Sequence, residues 1–196
     1  MSLFVDIKWP EQLRLDSPCI IVANHASFFD PYLVSFQPQR NICMAVRNWP
    51  FKIPIYGFYM KLAGYINVET DDLDAILEQA KKAVEQKATL MFFPEGTRSK
   101  DGNLNRFHSG PFLLSVQTGL PIVPLCITGT RKMLPRGHML IHPAKVRGRL
   151  LAPIHPQQFQ NTQNIHIDLR RAVKKTMVAC IQEMHRETDI DFHQIN

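Results

Sequence analysis

The chain has 196 residues, 45% of them hydrophobic and 20% charged, enough to bury a full core without disulfide staples. That composition excludes a disordered or fibrous chain. Its 23 Lys and Arg against 17 Asp and Glu give a net charge of +6, which favours anionic partners without choosing among nucleic acid, acidic lipid, phosphorylated substrates and an acidic carrier protein.

In chain order, Met1 to Arg14 carries Asp6 and Glu11 and lacks a signal-peptide core. Cys19-Ile20-Ile21-Val22-Ala23 reads as a buried strand that stops at Asn24-His25. Ser27 is placed to N-cap a helix, with Asp30 three residues on and Pro31 in its first turn. Asn41 to Val46 and Ala63 to Val68 read as further strands. Pro50 and Pro54 argue against a regular helix between them. Thr70 to Lys87 is the clearest helix, with Thr70 as cap, Asp71, Asp72 and Asp74 at its positive end, and an apolar stripe of Leu73, Ile76, Leu77, Ala80, Ala83 and Val84. Thr89 to Phe93 is a buried strand ending at Pro94-Glu95-Gly96. A helix from Ser109 to Thr118 ends at Gly119, a strand spans Pro121 to Thr128, and Lys145 to Leu151 is a late strand near the sheet edge. Ile165 to about His185 closes the chain as a helix, with Leu169, Ala172, Val173, Thr176, Met177, Cys180 and Met184 facing inward. Alternating strands and helices predict a layered α/β fold in a single domain.

No stretch of 18 apolar residues occurs, so no segment is expected to span a membrane. Read as complete, the chain is expected to be cytosolic or peripheral and needs no tail domain after Asn196; read as a fragment, it has left an anchor behind. Cys19, Cys43, Cys126 and Cys180 form no C-x-x-C pair and read as buried free thiols of a reducing compartment.

Two loops follow buried strands directly, where α/β sheets gather their sites. The first is Asn24-His25-Ala26-Ser27-Phe28-Phe29-Asp30 and the second Phe93-Pro94-Glu95-Gly96-Thr97-Arg98-Ser99. If their strands run parallel, both loops share one rim. An imidazole takes a proton from a hydroxyl near neutral pH, and a carboxylate fixes its tautomer. Five residues on a continuous helix would turn His25 and Asp30 about 140° apart, so the pair works only if His25 precedes the helix and folds back over its first turn. A competing reading gives Asp30 to a capping box with Ser27. Arg98 offers forked donors matched to phosphate, Gly96 permits close backbone approach, and Glu95 either accepts a hydroxyl or holds the loop. The alternative for the second loop is a polar turn with a solvated arginine.

Taken together, Asn24-His25-x-Ser27-x-x-Asp30 and Phe93-Pro94-Glu95-Gly96-Thr97-Arg98, with Phe107-x-x-Gly110 and Leu120-Pro121-Ile122-Val123-Pro124-Leu125 further on, resemble the PlsC-like glycerolipid acyltransferase family from about Pro18 to Ala152. The best-known members are 1-acylglycerol-3-phosphate acyltransferases. The resemblance implies a mixed, largely parallel sheet flanked by helices, one acyltransferase domain over 1–196, with the family blocks within 18–152 and a closing helix and tail over 160–196. It implies His25 as general base oriented by Asp30, and transfer of an acyl group from acyl-CoA or acyl-acyl-carrier-protein to a lysolipid hydroxyl. Arg98 would hold the acceptor phosphate in a pocket shaped by Glu95, Gly96 and Thr97. Asn24 and Ser27 would orient the first loop, and Pro124 would support the site from a strand end. No cofactor and no metal are expected: His138 and His142 lack a third ligand.

One block departs from the family. Where members carry Gly-x-x-x-x-Asp-Arg, this chain has Gly64-Tyr65-Ile66-Asn67-Val68-Glu69-Thr70, without the arginine. That weakens a phosphate acceptor and admits other lysolipids, such as a lyso-ornithine lipid; Lys61, Arg106 or Arg131 are candidates for the missing charge. An inactive lipid- or carrier-binding homologue is the second class of reading. Nucleic acid, suggested by charge alone, finds no binding motif.

Pro31 to Val68 has no acid, carries Arg40, Arg47, Lys52 and Lys61, and crowds Trp49, Phe51, Tyr56, Phe58, Tyr59 and Tyr65 into its second half. Two readings fit: an irregular lobe on a membrane surface, or a core segment. A second acid-free basic stretch holds Arg131, Lys132, Arg136, Lys145, Arg147 and Arg149, and is either a partner-binding or a merely solvated face. The expected location is cytoplasmic, peripheral on the cytoplasmic face of the membrane.

Overall fold

A computed structural model describes residues 5–8, 18–35, 41–68, 73–135, 137–138 and 140–193. The strands are β1 (Val5–Lys8), β2 (Ile20–Ala23), β3 (Ile42–Val46), β4 (Ile66–Asn67), β5 (Thr89–Phe92), β6 (Ile122–Thr128) and β7 (Ala144–Leu150). The helices are α1 (Asp30–Ser35), α2 (Tyr56–Leu62), α3 (Leu73–Glu85), α4 (Gly110–Thr118), α5 (Thr130–Met133) and α6 (Ile165–His193). The strands form one sheet in the order β1-β7-β6-β2-β5-β3-β4. All neighbours are parallel except β6 and β7, so the sheet is mixed and largely parallel, as expected.

Alternation along the central strands divides the core. Ile20, Val22, Leu90, Phe92 and Cys126 face α4 and α6, with Phe112, Leu169, Val173 and Met177 packed beneath them. Ile21, Ala23, Met44, Met91, Val123 and Leu125 face the other way, under Leu33 and Val34 of α1 and Met133 of α5. Both faces of β2, β5 and β6 are buried, which is why these strands read as continuous apolar runs rather than alternating ones.

Several expectations are corrected. β1 is an additional edge strand, while β7, one place in, lies near the sheet edge as expected. The strand foreseen over Ala63 to Val68 shrinks to Ile66–Asn67. After a 3₁₀ turn at Trp49–Lys52, a regular α2 forms despite the prolines, because Pro54 lies before its first turn. α6 runs eight residues further than His185, and Thr176 faces solvent, donating to the Ala172 carbonyl at 3.0 Å. Ser27 does not N-cap α1 with its side chain: the helix opens at Asp30. The Thr70 cap, with Glu69, Asp71 and Asp72, lies outside the described residues, as do Arg40 and Arg136.

Candidate active site

β2 and β5 are adjacent and parallel, with Ile20 opposite Leu90 and Val22 opposite Phe92. Their carboxyl ends therefore deliver the two loops side by side. Backbone bonds then lock His25 from both sides: its N–H donates to Glu95 Oε1 at 2.8 Å, and its carbonyl accepts from the Ser99 N–H at 2.7 Å. The Asn24 amide holds the start of the same loop, donating to the Ile127 carbonyl (2.8 Å) and accepting from the Ile127 N–H (2.7 Å). A buried primary amide paired with both backbone groups of one β6 residue pins the loop at its root.

His25 precedes α1, and Asp30 is the first residue of that helix. The chain thus folds back as the dyad requires, placing His25 Nδ1 2.8 Å from Asp30 Oδ2. The same oxygen accepts the N–H groups of Ala26 and Ser27, both at 2.7 Å. The two readings of Asp30 are one arrangement: a carboxylate that caps the turn by its backbone bonds and holds the imidazole as well. Asp30 is buried, while the His25 ring is one-fifth exposed and tilts against Phe93 at 4.5 Å between centroids. With Nδ1 engaged by the carboxylate, Nε2 is the nitrogen available to a substrate. Ser27 acts through its hydroxyl, which donates to the Leu134 carbonyl at 3.3 Å and accepts the Phe29 N–H at 3.4 Å.

A cleft of about 520 Å³ opens beside this ring, within the usual range for a ligand site. His25, Gly96, Thr97 and Arg98 form its polar end; Met44, Val46, Ile53, Met60, Tyr65, Val68 and Phe93 make most of the rest apolar. Gly96 has φ 66°, and a side chain there would meet the His108 ring at 3.2 Å, so the loop needs glycine for both conformation and space. His108 was not singled out in the sequence; only its place just before the Gly110 helix pointed to it.

Two assigned roles change. Glu95 lines no part of the cleft: it is buried, with Oε1 on His25 N–H and Oε2 on Asn105 N–H at 2.9 Å. It braces the loops instead of shaping an acceptor pocket. Burial pushes its carboxyl above the ordinary range, against the opposing pull of those two bonds and of His25. Pro124 is the third of seven residues in β6, registered with Val22, and not at a strand end.

All four cysteines are buried and free. Burial lifts the Cys19 thiol to about 12 and the Cys43 thiol to about 11, so neither is a ready nucleophile. Arg149, counted in the second basic stretch, is committed internally: one guanidinium nitrogen reaches Glu187 at 2.8 and 2.9 Å and another reaches Glu183 at 3.1 Å.

The acyltransferase family model matches residues 4–128, spanning both loops. The chain belongs to the acyltransferase family. It is 37% identical over 136 residues to a chloroplastic 1-acyl-sn-glycerol-3-phosphate acyltransferase of Brassica napus, covering 67% of this chain and 39% of the relative. The enzyme of that name from Escherichia coli is 26% identical over 166 residues, covering 83% and 67%. In three dimensions the chain matches the crystal structure of the 1-acyl-sn-glycerophosphate acyltransferase PlsC of Thermotoga maritima with a TM-score of 0.75 at 27% identity, over 93% of this chain and 72% of that one. The chain spans about 40% of the length of the first of these relatives. Among the described residues, no helix is long and apolar enough to cross a membrane.

Proposed function

We propose that this acyltransferase-family chain moves a fatty acyl group from acyl-CoA or acyl-acyl-carrier-protein to the hydroxyl of a lysophospholipid, 1-acyl-sn-glycerol-3-phosphate before others. The observation that carries the reading is the His25–Asp30 pair, 2.8 Å apart, beside a largely apolar cleft that is also lined by Arg98 and Arg47. The relatives' names support the acceptor.

In this scheme His25 Nε2 takes the acceptor's hydroxyl proton as the oxygen attacks the thioester carbonyl carbon. The tetrahedral intermediate then expels the sulfur, and the imidazolium returns the proton to the thiolate. Asp30 keeps Nδ1 protonated and stabilises the imidazolium. No cysteine lines the cleft, which supports direct transfer. Arg98 pairs with the acceptor phosphate, and the apolar wall takes an acyl chain. The acceptor lies in a bilayer, and the chain meets it as a peripheral protein on the cytoplasmic face. Of the ten large hydrophobic residues most exposed among the described ones, seven fall between Tyr32 and Leu62, within the stretch from Pro31 to Val68, which favours the membrane reading of that lobe over the core one.

The absent second-block arginine favours a second acceptor class, lysolipids without a phosphomonoester, within the same chemistry. Purified chain incubated with each donor type and a panel of lysolipids, read by mass spectrometry, tests both. Phosphatidate formed by wild type and lost in His25→Ala supports the first reading; product only from another lysolipid transfers the assignment to it. No product from any acceptor with either donor would leave a lipid- or carrier-binding homologue.

A further inference from the structure

Outside the cleft, the described residues hold one more polar cavity of interest. It measures about 430 Å³ and is lined by Asn48, Lys52, Lys61, Tyr65, Asn67 and Gln79, with Phe51 beside them. It brings together the 3₁₀ turn at Trp49–Lys52, α2, β4 and α3, four successive segments of the chain. The Asn67 amide donates to Asn48 Oδ1 at 3.3 Å, joining two of its walls. No carboxylate lines it, and residues 31–68 contain no Asp or Glu, so its two ammonium groups meet no acid on their own segment. Tyr65 lines both this cavity and the catalytic cleft.

We propose that this cavity binds the phosphate of an anionic membrane phospholipid and thereby seats the catalytic cleft on the bilayer. Two lysines lining one cavity with amide side chains beside them suit a phosphate diester. Lys61 shares α2 with Phe58, Tyr59 and Leu62, which are 66%, 60% and 73% exposed, and Ile55, just before the helix, is 75% exposed. Apolar rings and aliphatic chains beside a lysine on a short helix match the boundary between headgroups and acyl chains. A soluble coenzyme phosphate calls for the lysines but not for that apolar face, which commits the site to lipid. The inference extends the interfacial part of the proposed function, but vesicle binding needs no turnover, so an inactive chain can still pass the test and an active one can fail it.

The test is co-sedimentation with phosphatidylcholine vesicles and with vesicles that also contain phosphatidylglycerol. Wild type is expected to prefer the anionic vesicles. Lys52→Gln with Lys61→Gln should weaken that binding roughly 10-fold or more while leaving binding to phosphatidylcholine unchanged. Lys52→Arg with Lys61→Arg should retain it, and Phe58→Ser with Leu62→Ser should weaken binding to both. Both lysines are exposed, so the glutamine pair keeps the fold, checked by circular dichroism. Wild-type binding by the glutamine pair overturns the proposal. So does a loss confined to coenzyme A affinity, which would give the cavity to the donor's phosphates.

Discussion

Asp30 Oδ2 receives three donors at once, two from the backbone and one from the His25 ring. A charge-assisted cluster of this kind fixes a side chain more firmly than any single bond. Asp30→Asn keeps the shape and one acceptor oxygen but cannot stabilise an imidazolium. We expect kcat to fall roughly 10²–10⁴-fold with little change in KM, measured by steady-state thiol release. Equal turnover in the variant would mean that Asp30 serves only the turn. Glu95 acts one layer further back, through the backbone of His25. Glu95→Gln offers one acceptor oxygen to two N–H donors, so one loop is released, and we expect kcat to drop about 10²-fold. The raised carboxyl pKa also predicts a pH signature. The native state keeps its proton where the unfolded chain has lost it, so this group's contribution to stability is full below the ordinary carboxylate pKa and is lost as pH rises through the raised value. Urea titrations across that interval should show wild type losing stability relative to Glu95→Gln as pH rises; a constant difference would contradict the assignment. At this scale the residue types were legible, because His, Asp and Arg carry chemistry wherever they stand. The division of labour between Glu95 and Arg98 was not, since neighbours on one loop can point to opposite sides of it.

Buried strands were readable because both faces of β2, β5 and β6 are covered and each needs an apolar run that ends at a turn. β1 escaped notice because Val5-Asp6-Ile7-Lys8 is four residues long and half charged, a pattern that only its parallel pairing with β7 makes a strand. α2 escaped because Pro50 and Pro54 were weighed against the whole stretch, whereas proline forbids only a helix interior. α4 sits beneath the site strands, with Phe112 fully buried and stacked on Phe107 at 6.3 Å. Arg170 of α6 secures the same corner by donating to Ser109 Oγ at 2.8 Å. Phe112→Ala removes a large part of this packing and should cost about 3–5 kcal/mol by chemical denaturation. A loss below ~1 kcal/mol would show that the corner contributes little to the core.

The described residues divide their surface between a rim that carries the His25–Asp30 pair and a lobe within 31–68 that turns aromatic and aliphatic side chains outward. Sequence alone left that lobe between membrane face and core, because composition cannot tell an inward ring from an outward one. The exposure of Trp49, Phe58 and Tyr59 supports the proposed membrane face, while Phe51 and Tyr65 are half-buried. Binding to anionic vesicles should therefore weaken as salt rises, since exposed charges are screened within about 8 Å at physiological ionic strength. Salt-independent binding, equal on neutral vesicles, would assign attachment to apolar contact alone. The most direct test of the central claim follows free thiol released from acyl-CoA by wild type and His25→Ala, with and without 1-acyl-sn-glycerol-3-phosphate. Direct transfer with His25 as the base predicts release that depends on the acceptor and falls at least about 10³-fold in the variant. Undiminished release by His25→Ala, or a stoichiometric burst without acceptor that leaves the acyl group on the protein, would contradict it.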